Sequence, residues 1–157
     1  MRIIKDKTIV EDGWAHYAGD GELPEGDIIV PLDVWLDRRG ELAGRRVGVR
    51  LEPDNHPKEI RGDLDELALI AINFPTFNDG RGYSSAKLLR DRYGFDKEIR
   101  AVGDVMRDQL FYMQRCGFNA YELKEGRDIN DALTAFNDFS VKYQVSADEH
   151  LPLYRRR

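Results

Sequence analysis

Cysteine is nearly absent. Cys116 stands alone, so no disulfide can form within the chain. Histidine is almost as scarce: His16, His56 and His150 lie far apart and lack the spacing of zinc ligands, so no metal is expected. No apolar run approaches the roughly 20 residues that span a bilayer, and membrane insertion is not expected. The chain reaches Lys5, Asp6 and Lys7 at once, which leaves no hydrophobic stretch of a signal peptide. A cytoplasmic setting is the expectation. Positive charge is not in excess either; a net charge of −5 argues against a nucleic-acid binder.

What is present is an ordinary globular balance, with 41% hydrophobic and 34% charged residues over 157 positions. That length suits one domain with a real core. The Ile- and Val-rich stretch from Arg2 to Val10, with the Asp12-Gly13 turn signal, reads as an N-terminal β arm. Together with the glycine- and proline-rich loop that follows, it occupies 1–26. From 27 to 145 short apolar runs alternate with amphipathic stretches. Strands are expected at 27–32, 47–51, 67–74, 99–102 and 120–123. Helices are expected at 34–43, 85–93, 105–116 and 129–139, with Asp33 as the N-cap of the first. Residues 146–157 read as a flexible C-terminal tail.

The glycines repeat. Gly80, Gly103 and Gly126 recur at a step of 23 residues, as do Gly94 and Gly117. The second pair, each followed by phenylalanine, has the form of a helix C-cap. One step is then one strand–loop–helix unit. Its repetition predicts a single α/β domain with a mostly parallel sheet of about four to six strands, short βα units and an N-terminal β arm.

Ligands of such sheets bind beyond the carboxyl ends of the strands. At that edge lie Asp79-Gly80-Arg81-Gly82, Gly103-Asp104 and Gly126-Arg127-Asp128. Gly80, Arg81, Gly82, Ser84, Ser85 and Arg100 are the candidate binders of an anion or cofactor. Either serine is placed to cap the following helix and Arg81 to add a two-pronged donor. Asp79 and Asp104 are the candidate acid or base. Gly80-x-Gly82-x-x-Ser85, with Asp104 after the next strand, matches part of a nicotinamide-dinucleotide fingerprint. Pro75 to Asp79 and the Arg81 side chain interrupt it. Polar residues also sit within apolar strands: Arg50, Glu52, Asn73, Arg100 and Glu122. They either pair with one another or lie on a solvated face. On the helix from Val105 to Cys116, the expected core stripe is Met106, Leu110 and Met113, with Tyr112 and Cys116 beside it. Phe111 faces outward among Arg107 and Arg115, and these three are the candidate partner contacts.

Several of these motifs together resemble a known family. They are Phe77-Asn78-Asp79-Gly80-Arg81-Gly82-Tyr83-Ser84, Leu88-Leu89-Arg90, Arg100-Ala101-Val102-Gly103-Asp104-Val105, Arg107-Asp108-Gln109-Leu110 and Arg115-Cys116-Gly117-Phe118. They are similar to a bacterial domain-of-unknown-function family encoded beside assimilatory sulfite reductase genes. Its members are commonly labelled oxidoreductases involved in sulfite reduction. The resemblance implies a role in sulfur assimilation, with the sulfite reductase haemoprotein or its electron donor as partner. It brings no agreed catalytic residues. Two functions stay open: an accessory or electron-transfer partner of the haemoprotein, or a small-molecule oxidoreductase binding an anionic substrate or cofactor.

Overall fold

A computed structural model describes residues 1–143, so the expected tail at 146–157 lies outside the described residues. An antiparallel hairpin opens the chain, with strands β1 (Arg2–Lys5) and β2 (Thr8–Glu11). The two-residue strand β3 (Ala15–His16) follows, then a long loop to β4 (Ile28–Pro31). Pro31 is extended and leads into α1 (Leu32–Asp37) and α2 (Arg39–Leu42), which divide at Arg38. The expected single helix at 34–43 is therefore two short ones. Asp33 lies inside the first of them rather than capping it, because the helix begins directly after Pro31.

Strand β5 (Val47–Leu51) precedes a 3-10 stretch, Pro57–Glu66, and β6 (Leu69–Phe74). Helix α3 (Arg81–Asp91) begins four residues before the expected Ser85, because the Asp79 carboxylate accepts the Arg81 amide at 3.1 Å. Then come β7 (Glu98–Gly103), a 3-10 turn at Arg107–Gln109, α4 (Leu110–Cys116), β8 (Ala120–Tyr121) and α5 (Ile129–Tyr143). Gly94 and Gly117 both have positive φ, and Phe95 and Phe118 are buried beside them, as their C-cap form predicts.

The sheet has eight strands in the order β2-β1-β8-β7-β6-β5-β4-β3. That is more than the four to six expected, because the N-terminal arm is built into it. Strands β3 to β8 run parallel in sequence order, while β1 and β2 are antiparallel. Right-handed crossovers that always step the same way place every helix on one face. On that face Val49, Leu51, Ile70, Ile72 and Phe74 pack with Leu89, Met113 and Phe136.

The sheet must also curl. Flat, its outer strands would stand about 34 Å apart at about 4.8 Å per strand. Yet only Asp12, Gly13 and Trp14 link β2 to β3. The four Cα steps from Glu11 to Ala15 reach at most about 14 Å. The curl turns the helix-free face inward, and residues 12–16 lie across it.

Candidate functional site

Strand alternation sorts the side chains of β5 to β8. Val47, Val49, Ile70, Ile72, Ile99, Ala101 and Tyr121 face the helices. Gly48, Arg50, Leu69, Ala71, Asn73, Glu98, Arg100 and Val102 face inward. The register sets Arg50 beside Ala71, Ala71 beside Arg100, and Arg100 beside Ala120. Leu69, Ala71 and Val102 join Ile29 as a small apolar floor on which Trp14 packs. Trp14 is in turn covered by the Arg46 guanidinium, 5.0 Å from the ring centre.

Arg100 is the centre of the polar half of this face. Its side chain is 1% exposed and bonds three carboxylates. Nη1 and Nη2 donate to the two oxygens of Asp12 at 2.9 Å each. Nε donates to Glu98 at 2.8 Å and Nη1 to Glu122 at 2.7 Å. Glu98 also pairs with Lys5 at 3.2 Å. Glu122 receives His16 Nε2 at 2.9 Å, although His16 is on the far edge strand. Burial disfavours the charged guanidinium, but its bonds to Asp12, Glu98 and Glu122 outweigh this and raise its pKa. Burial likewise pushes the Glu122 carboxyl up, but His16 and Arg100 outweigh it and hold it below the usual carboxylate range. The strand charges Arg100 and Glu122 thus pair with each other. So do Arg50 and Glu52, at 3.1 Å, with Asn73 donating to Glu52 at 2.8 Å.

The carboxyl ends of the strands carry the other predicted residues. Arg81 donates to Asp79 through Nε at 3.1 Å and Nη2 at 2.8 Å, so the candidate anion donor already holds a carboxylate. That bond and the Arg81 amide hold Asp79 below its ordinary value. Arg81 is raised by Asp79 and, more weakly, by Asp54. Ser84 and Ser85 lie within α3, past its first residues, and cap nothing. With His56, Arg81 and Asp54 they line a shallow depression of about 250 Å³. The one arginine there is already bound to Asp79, and Asp54 adds negative charge to the lining. Gly80 has open space around it, so the loop does not need a glycine. Gly82 is a packing residue: a Cβ would stand 2.7 Å from the Phe74 ring.

Asp104 ties the strand-end loops together. It accepts the Phe77 amide at 3.0 Å and pairs with Lys124 at 3.4 Å. Gly103 before it has positive φ, and a Cβ there would meet the Phe74 carbonyl oxygen at 2.5 Å.

On α4 the phase differs from the expected one. Tyr112 is 55% exposed and Phe111 is half-buried, because the 3-10 turn at Arg107–Gln109 advances the chain by three residues per turn before the helix starts. Leu110, Met113 and Cys116 form the buried stripe. Burial raises the Cys116 thiol. Arg107 pairs with Asp131 at 3.1 Å, and Arg115 is exposed. Tyr112 stands edge-on to Tyr83, ring centres 5.0 Å apart. Phe77 is also exposed, at 49%, and its carbonyl accepts Gln109 Nε2, one helical turn before Tyr112. Sequence reasoning missed Asp12, Lys5, His16 and Glu98 as members of the ion cluster. Its only trace was the alternation Asp12-x-Trp14-x-His16 in the arm. It also missed Phe77 and Tyr112 as the exposed aromatics.

Curled sheet, single helix-bearing face and polar inner face define a single-domain mixed α/β protein, mostly parallel with an antiparallel margin. No helix among the described residues is long and apolar enough to cross a membrane. Residues 48–154 match the family described as bacterial protein of unknown function (DUF934), and the chain belongs to it. No curated protein matches the chain. The family region contains Arg100, Glu98 and Glu122, whereas Asp12, His16 and Lys5 come from the segment before it.

Proposed function

We propose that this chain serves assimilatory sulfite reduction in the cytoplasm as an accessory or electron-transfer partner, docking on the sulfite reductase haemoprotein or its electron donor. The sulfur context comes from the resemblance of the Phe77–Ser84 and Arg100–Val105 motifs. The observation that favours docking over catalysis is the pairing of the candidate charges. Arg81 holds Asp79, Arg100 holds three carboxylates, and Asp104 holds an amide and Lys124. Two aromatics are exposed: Phe77, whose amide Asp104 accepts, and Tyr112, with Arg115 three residues further on the same helix. Exposed rings beside a cation suit a partner surface. The test is a pull-down with the tagged chain from cells growing on sulfate, assaying the eluate for sulfite reductase activity and bound cofactor. Retention should fall in a Phe77→Ala/Tyr112→Ala variant. An eluate without the haemoprotein or its donor overturns the role; undiminished retention by the variant overturns the contact face.

The second role is an oxidoreductase taking a small anion or a nicotinamide dinucleotide at the strand ends, for which the depression lined by Asp54, His56, Arg81, Ser84 and Ser85 is the place and Arg81 would have to leave Asp79. Sulfite, phosphate or the dinucleotide should then raise the melting temperature of the wild type and not of Arg81→Ala. No shift in the wild type rejects it.

A further inference from the structure

Residues 12–16 cross the inner face as an extended segment. The side chains of Asp12, Trp14 and His16 reach the inner face, although His16 stays partly open to solvent; Gly13 and Ala15 are exposed. Each inward side chain meets a different chemistry. Asp12, 3% exposed, fills the fork of Arg100. Trp14 lies on the floor of Ile29, Leu69, Ala71 and Val102. His16 donates to Glu122. The backbone bonds of the segment run to Met1, to Asp27 and to β4, at the sheet margins. Its attachments to β6, β7 and β8 are made by side chains. Of the receiving residues, Leu69, Ala71, Arg100, Val102 and Glu122 lie within the family region 48–154, whereas Ile29 and the segment itself lie outside it.

We infer that the inner face of the family region is a recognition groove for an extended peptide, and that residues 12–16 fill it as a built-in strap which a partner's segment replaces. Groove chemistry sets the partner: an acidic residue for Arg100, an aromatic two positions on for the apolar floor, and a cationic or N–H-donating residue two further for Glu122. Period-two spacing follows from extended backbone, which presents alternate side chains to one face. This deepens the accessory role and rests on it for the existence of a partner.

The experiment titrates a fluorescein-labelled peptide of residues 10–18 into the full chain. One sample is wild type; the other carries Asp12→Asn and Trp14→Ala, which weaken its own strap. The variant should bind the peptide at least about tenfold more tightly than the wild type, a difference well within reach of a titration. A peptide bearing the same two changes should bind neither. No binding to a variant with native circular dichroism, or equal binding of the changed peptide, overturns the proposal. If that variant does not fold, His16→Gln replaces it with the same expectations, since His16 is 34% exposed and provides one fastener. Failure of His16→Gln to fold overturns the proposal as well, because the strap would then be an inseparable strand. A failed pull-down with intact peptide binding removes the sulfite-reductase partner and leaves the groove; the reverse removes the groove alone.

Discussion

The two faces of the sheet are held by different physics. On the helix side Phe74, Ile72, Leu89 and Phe118 make one continuous apolar core. Such packing is non-directional, and its strength follows the area removed from water. On the inner side a few apolar residues share the space with Arg100, Asp12, Glu98, Glu122, Lys5 and His16. There the geometry of each bond matters, and removing one member strands the others. The helix face is built within successive βα units. The inner face is assembled from bonded residues as much as 106 positions apart, and it joins the N-terminal segment to the family region.

Arg100→Met should bring out the contrast most strongly. The volume is roughly kept, yet three carboxylates lose their shared cation, and a cost of about 3–5 kcal/mol is expected in urea unfolding. Phe74→Ala should cost about the same, about 3–5 kcal/mol, through a cavity instead. If Arg100→Met costs under about 1 kcal/mol, the inner face behaves as ordinary packing and the comparison breaks. Gly103→Ala should come next, at about 1–3 kcal/mol, because a Cβ meets the Phe74 carbonyl and the backbone is in the left-handed region.

A titration separates the faces more gently. The folded carboxyl of Glu122 lies below its unfolded value, so its contribution is full above the unfolded value, about 4.3, and is lost as pH falls through the lower folded value. The urea midpoint of the wild type should therefore fall in that acid range, and Glu122→Gln should flatten the fall. An unchanged slope would remove Glu122 from the acid response. The smallest effect is expected at Arg81→Ala, an exposed pair at the strand ends, where the melting temperature should not move measurably.

Much of the helix face was legible because its signals are local. The apolar run ending at Phe74, the Gly94-Phe95 and Gly117-Phe118 caps and the alternation of strands and helices are all read within a few residues. The α3 start was misplaced because Asp79 takes the Arg81 amide, which shifts the cap upstream of the serines. Tyr112 and Phe111 exchanged places because a 3-10 turn does not keep the 3.6-residue period. Of the inner face, Arg50, Glu52, Asn73, Arg100 and Glu122 were visible as polar residues in apolar strands. Their partners in the arm were not, since nothing local connects Asp12 to Arg100 or His16 to Glu122.

By itself the sequence determined the class: strand and helix periods, parallel βα repetition and the glycine caps follow from neighbours a few residues apart. Tertiary structure alone decided how far the sheet curls, that the N-terminal arm completes it, and that Arg100 is buried against three carboxylates while Arg81 stays exposed and paired with Asp79. Those outcomes depend on chain reach and on charge pairing between distant segments. Composition and spacing leave both undetermined.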